Sequence, residues 1–317
     1  MQHYSIELTG TFPRSEALVA ATRDFDRKRI TASRLVQIRH AQQDEVLSLQ
    51  KKLGITPLSD GMLNWQDIFR PFAEICSGIQ PVTLTRFADT NTFFRQPKIT
   101  GAVRYAGKHV SEYFLGMHKK GEWKATLPSP FFFARVADDR HYSSVRKLAF
   151  SFADSLAHLI IHLKKAGYSS FQLYDPYLGY LGATPGELRL VTDTTNHLIE
   201  ATHAALGYYV AFTCSKTVAA TLLKLPLDAV GVDFFNTDMH ALPSFKGKLA
   251  LIAGCLDSRT SLVEDAKTLA KFLRDVNTTL APREVRATST VDLQFVPVKI
   301  AEQKLLHLRR AIQSLTS

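Results

Sequence analysis

Phe171-Gln172-Leu173-Tyr174-Asp175 is a short apolar run that ends in a carboxylate, and Pro176 opens a helix-like segment directly after it. Seven further runs have the same shape: Ser5 to Gly10, Ile55 to Asp60, Lys124 to Ser129, Leu198 to His203, Ala229 to Asp233, Leu249 to Gly254 and Val285 to Thr290. A helical pattern follows each one. Runs of this length, too short for helices and alternating with apolar stripes of helical period, read as buried parallel strands joined by crossover helices. Eight such units predict a single (β/α)8 barrel, an α/β fold of the TIM type, spanning residues 1–317. In that architecture the C-terminal strand ends form one mouth. Asp60, Asp175, His203, Asp233 and Asp257 are therefore expected to converge despite their wide separation in sequence.

The intervening helices carry their own signals. Leu35, Ile38, Val46, Leu49 and Leu53 form one apolar stripe in a helix expected from about Arg23 to Leu53, and Gly54 stands where a helix-terminating glycine is favoured. Leu148, Phe152, Leu156, Leu159, Ile160 and Leu163 define the stripe of a helix over Ser143 to Lys165, and Ala301 to Ser314 reads as the last helix. His158 and His162 have a metal-compatible i, i+4 spacing, but no third ligand accompanies them, so they read as helix-surface histidines. Residues 79–122 break the rhythm. Pro81, Pro97, Gly101, Gly107 and Gly121 punctuate an insertion between the second helix and the third strand, with Val82-Thr83-Leu84 and Lys98-Ile99-Thr100 as the strands of a hairpin. Within it, Asp89 to Arg95 mixes aromatic and charged groups, which makes Phe93 and Phe94 candidate ligand contacts.

Composition narrows the function. Of 317 residues, 45% are hydrophobic, enough for one large core. No segment reaches the ~18 consecutive apolar residues of a membrane span, and Met1-Gln2-His3-Tyr4 does not read as a secretory leader. The three scattered cysteines, Cys76, Cys214 and Cys255, read as reduced thiols of a cytoplasmic protein. A net charge of +10 favours anionic partners. No helix-turn-helix, zinc-finger or RNA-binding signature accompanies that charge, so nucleic acid is not the expected partner.

The strand ends also resemble a known family. Gly10-Thr11-Phe12-Pro13-Arg14, the acidic loop Asp60 to Asp67, Thr126-Leu127-Pro128-Ser129-Pro130, Gln172-Leu173-Tyr174-Asp175-Pro176, Val232-Asp233, Ile252 to Arg259 and Phe295-Val296-Pro297 are similar, in order, to motifs of the cobalamin-independent methionine synthases. The resemblance implies a (β/α)8 barrel that handles homocysteine and a methylated folate or pterin, with a corrinoid carrier as another possible donor. It also implies a zinc site of one histidine, two cysteines and a glutamate. Thiolates and a neutral imidazole suit zinc, which in turn holds a substrate thiol as its thiolate. Here His203 stands at the histidine position and Asp233 at the glutamate position, while Ala205 and Val291 fall where the cysteines belong. Met62 replaces a glutamate.

Phe87-Ala88-Asp89-Thr90-Asn91 resembles the N-terminal barrel of two-barrel members. The chain is thus expected to act as a donor-binding half, working with a separately encoded, zinc-bearing catalytic barrel. The resemblance makes Asp175, His203 and Asp233 the catalytic candidates. Arg14, Thr11, Asp60, Trp65, Asn91, Asp257 and Arg259 become substrate-binding candidates, and His203 and Asp233 the remnant metal ligands. Two alternatives remain at this point: a non-catalytic binding subunit, and a metal-independent barrel of the uroporphyrinogen decarboxylase type. Asp60, Asp175 and Asp233 also have a plain reading as helix caps.

Overall fold

The computed structural model describes residues 4–86 and 93–316. Its strands are β1 (Tyr4–Ile6), β2 (Leu58–Ser59), β3 (Cys76–Arg86), β4 (Phe93–Tyr105), β5 (Trp123–Pro128), β6 (Asp138–Asp139), β7 (Tyr168–Asp175), β8 (Ala205–Val210), β9 (Ala229–Asp233), β10 (Ala250–Leu256) and β11 (Val285–Ser289). Eight of them form a parallel sheet in the order β1-β11-β10-β9-β8-β7-β5-β2, curled into a TIM-barrel-like fold. Every residue of β5, β9 and β10 is buried, as expected for strands covered on both faces.

The barrel closes without a ladder between its edge strands. Leu58 of β2 donates its N–H to Glu122 on the β5 side. The next residue, Ser59, turns its backbone to the opposite side, where β1 would lie. There the side-chain amide of Gln50 accepts from the Ser59 N–H at 2.8 Å and donates to its carbonyl at 2.7 Å. Gln50, itself fully buried, stands in for the missing strand. One backbone bond, Phe12 N–H to the Gly61 carbonyl at 3.0 Å, joins the two edges above it.

The helices are α1 (Glu16–Asp26), α2 (Ala32–Leu53), α3 (Phe72–Ile75), α4 (Val110–Tyr113), α5 (Pro130–Val136), α6 (Val145–Lys165), α7 (Pro176–Leu181), α8 (Pro185–Thr202), α9 (Lys216–Leu222), α10 (Ala266–Leu280) and α11 (Val298–Thr316). Side-chain N-caps start many of them: Ser15, Thr31, Ser129, Ser144, Asp175, Thr184, Ser215 and Asp265 each accept from a backbone N–H of the first turn. Gly54 ends α2 in the left-handed conformation, as its sequence position predicts. The stripe of α6 is buried as expected, and the insertion forms a long antiparallel hairpin of β3 and β4. The hairpin begins at Cys76, three residues before the expected insertion boundary.

Two expectations are corrected. The helix expected over Arg23–Leu53 is two helices, which part at Lys28, a residue with φ +57°. The run Leu198 to His203 is not a strand but the end of α8, and the fifth barrel strand is Ala205–Val210. His203 is the left-handed C-cap of that helix, exposed at the N-terminal end of β8.

Candidate active site

A cavity of about 530 Å³ opens at the C-terminal mouth of the barrel. Seven of the eight strand ends contribute to its wall: Thr11 after β1, Gln66 after β2, Phe132 after β5, Tyr174 at the end of β7, Phe212 after β8, Arg259 after β10 and Val291 after β11. Phe93 and Phe94, at the start of β4, bring the hairpin over one side. The wall is chiefly aromatic. Phe69 lies against Phe94 and Phe132 with ring centres at 5.5 and 4.8 Å. Tyr174 stacks on Tyr209 at 6.0 Å and 10°. Phe295, partly exposed, forms a lip. The polar groups at the wall are few: Thr11, Gln66, Asp67, Arg259, Asp292 and Gln294.

Around this wall the carboxylates are tied down. Asp175 is fully buried and accepts from the hydroxyls of Ser129 and Tyr208, both at 2.6 Å, and from the Leu178 N–H at 3.0 Å. The cap role anticipated for it is therefore real, and it also braces β5 and β8. Asp233 accepts from the Phe235 N–H and the Asn236 amide. Asp292 accepts from the Thr11 N–H, joining the mouth ends of β11 and β1. Burial pushes all three carboxyl groups above their ordinary range, and their hydrogen bonds only partly offset it. Asp257 holds Arg259 by its backbone N–H and its Nε at 2.8 Å, and Arg259 also reaches the Asn236 carbonyl oxygen. The guanidinium is thus held at the cavity wall.

Deeper in the barrel, Lys124 is buried and donates to Glu7 at 2.6 Å, to Gln172 at 2.6 Å and to the Leu8 carbonyl at 2.9 Å. Burial lowers the Lys124 pKa, and Glu7 opposes that shift. The pair fixes β1 to β5 and β7 under the cavity.

The sequence-predicted residues divide clearly. Thr11 and Arg259 line the cavity; Asp257 positions Arg259, while Asp175 and Asp233 sit at the strand ends without forming its wall. Asp60 lies outside it, accepting from the Met62 N–H and the Tyr168 hydroxyl. Trp65 is a core residue whose indole donates to the Tyr113 carbonyl and packs edge-on against Phe72, Tyr113 and Phe114. Arg14 borders a second hollow between α1 and α2. Asn91 and the Phe87–Asn91 segment lie outside the described residues. The contribution the sequence did not single out is Asp292, although it is the first carboxylate after the Val285 to Thr290 run, the very signal used elsewhere. Of the aromatic wall, Phe93 and Phe94 were candidate contacts in sequence and do line the cavity, whereas Phe132, Tyr174 and Phe212 look like ordinary core residues.

Zinc does not fit these residues. His203 and Asp233 are at opposite ends of the barrel, separated by roughly 20 Å of strand. Val291 presents an isopropyl group to the cavity wall. Cys214 and Cys255 are buried, with thiols pushed up to about 12. Among the described residues no three His, Cys, Asp or Glu side chains cluster to hold a metal.

An eight-stranded α/β barrel with its site in the strand-end loops defines the class, and the sequence family refines it. The pattern of the cobalamin-independent synthase N-terminal domain matches residues 21–281, so the chain belongs to the cobalamin-independent methionine synthase family. The methionine synthase of Sulfurisphaera tokodaii is 22% identical over 303 residues, covering 94% of this chain and 88% of its own length. That of Sulfolobus acidocaldarius is 20% identical with the same coverage. A B12-independent methionine synthase from Shewanella sp. W3-18-1, solved in complex with selenomethionine, shares the fold with a TM-score of 0.81. It is 18% identical and covers 99% of this chain and 97% of its own. No helix among the described residues is long and apolar enough to cross a membrane.

Proposed function

We propose that residues 1–317 act as one cytoplasmic barrel unit that binds a methylated folate or pterin in the aromatic mouth. In this reading it serves methyl transfer to homocysteine as the donor-binding half, beside a separately encoded zinc-bearing catalytic barrel. The aromatic wall carries the reading. A concave site with flat apolar sides and a few convergent polar groups suits a planar heterocycle, whose faces stack while its edge seeks hydrogen bonds. Thr11, Gln66 and Gln294 offer such bonds, and Arg259 offers a cation to a carboxylate. Asp175 and Asp233 act here as positioning groups, since their acceptor sites are already engaged. Family membership supports methyl transfer. The absence of thiolates at the expected positions favours a division of labour, because among the described residues no His, Cys, Asp or Glu cluster could hold a metal that keeps homocysteine as a thiolate.

The experiment mixes the purified chain with homocysteine and a methylated folate, alone and with a zinc-bearing barrel of the family. Methionine formed only in the mixture supports the proposal. No stimulation of the partner barrel, whatever the folate, would refute it.

A further inference from the structure

The hollow that takes in Arg14 has a volume of about 310 Å³ and shares only Gln66 with the barrel-mouth cavity. Chain direction fixes its layout. The Gln42 side chain of α2 donates to the Pro13 carbonyl and accepts from the Ser15 N–H, just ahead of α1. The two helices therefore run antiparallel, with Ala32 opposite Asp26 and Arg39 about one turn before the Gln42 contact. Arg14 and Arg39 consequently stand at the same end. From there Leu18, Leu35 and Val36 make an apolar lane that ends at the partly exposed Phe25. Between the levels of Arg39 and Ala32 the lane is about 10 Å long.

The Arg14 cation is uncompensated. Arg14 is partly buried, and its charge is disfavoured by burial alone, with no acid opposing it. It has no hydrogen bond or ion pair among the described residues. Arg39 is likewise desolvated, with Glu112 and Tyr113 only partly offsetting the effect. Holding a guanidinium out of water without an acceptor costs free energy, and an incoming oxyanion would recover it. Asp26 and Glu112 border the same hollow, so a ligand with several carboxylates would meet like charge there. One anionic head and one apolar body is the ligand that satisfies all of this.

We propose that the groove between α1 and α2 is a second binding site, for an amphiphilic monoanion whose oxyanion head is held by Arg14 and Arg39 while its apolar body lies along Leu18, Leu35 and Val36. The inference does not depend on what occupies the barrel mouth. Titration calorimetry with octanoate, octyl phosphate, acetate, octanol and triglutamate tests it. Octanoate or octyl phosphate should bind at least tenfold more tightly than acetate, octanol or triglutamate, and the tighter of the two identifies the head. R14Q should weaken that binding at least tenfold. V36E, at an exposed helix position, should do the same by placing a carboxylate in the lane, and it serves if R14Q does not fold. Absence of octanoate and octyl phosphate binding, equal or tighter binding of triglutamate, or binding unchanged in both variants would each overturn the site.

Discussion

Asp175 shows how a single side chain can serve both fold and site. It caps α7 and receives two hydroxyls from neighbouring strands, all within a fully buried setting. Asp175→Ala would leave the Ser129 and Tyr208 hydroxyls and one helix N–H without an acceptor. At about 1 kcal/mol for each orphaned group, the change should destabilise the chain by about 3 kcal/mol, read as a lower midpoint in urea unfolding. Asp292 makes a different prediction. Its carboxyl is raised by burial, so the folded state binds its proton more tightly than the unfolded state does. The stability this contributes is present below the unfolded value of about 4 and is lost as pH rises through the folded value. Asp292→Asn keeps a carbonyl for the Thr11 N–H and removes the titration. The wild-type chain should therefore lose stability relative to D292N as pH increases from 4 to 7, measured by denaturant unfolding at each pH. An unchanged difference would contradict a raised Asp292.

At the scale of elements, the strand-and-cap grammar was legible because it is local. Seven of the eight apolar runs are barrel strands, and serine, threonine or aspartate caps mark many of the helix starts. Leu198–His203 failed for a physical reason: Leu198 belongs to the buried stripe of α8 with Val191 and Thr195, and a short apolar run cannot distinguish a buried helix end from a strand. The true strand begins two residues after His203, where Gly207-Tyr208-Tyr209-Val210 has the composition of a sheet. The break between α1 and α2 contains neither proline nor glycine, yet Thr31 was a readable cap signal. Gln50 could not be read at all, since its role depends on the missing β1–β2 ladder. Gln50→Leu should leave the Ser59 N–H and carbonyl buried and unpaired. A loss of about 3 kcal/mol is expected, with amide exchange at Ser59 quickened in step. Wild-type protection in Q50L would mean that β2 is held by other contacts.

For the whole molecule, the fold brings residues from both ends of the chain to one mouth, with Thr11 and Asp292 in direct contact across it. The barrel has a shaped cavity at its mouth, and among the described residues no three possible metal ligands cluster there. The sequence alone could report the lost thiolates at Ala205 and Val291, although strand register removes Ala205 from the mouth altogether. Of the aromatic enclosure it could report only Phe93 and Phe94, because six separated segments build that wall.

Whether this mouth holds a methylated pterin is tested most directly by calorimetric titration of 5-methyltetrahydrofolate into the wild-type chain and into F295A and R259Q. Both altered residues reach the surface at the cavity lip, where replacement leaves the core intact. The wild-type chain should bind 5-methyltetrahydrofolate saturably, one to one, and each variant should weaken binding about tenfold, as expected when a stacking face or a charged hydrogen bond worth roughly 1.4 kcal/mol is lost. Absence of binding to the wild-type chain, or equal affinity in all three proteins, would contradict a pterin site at this mouth.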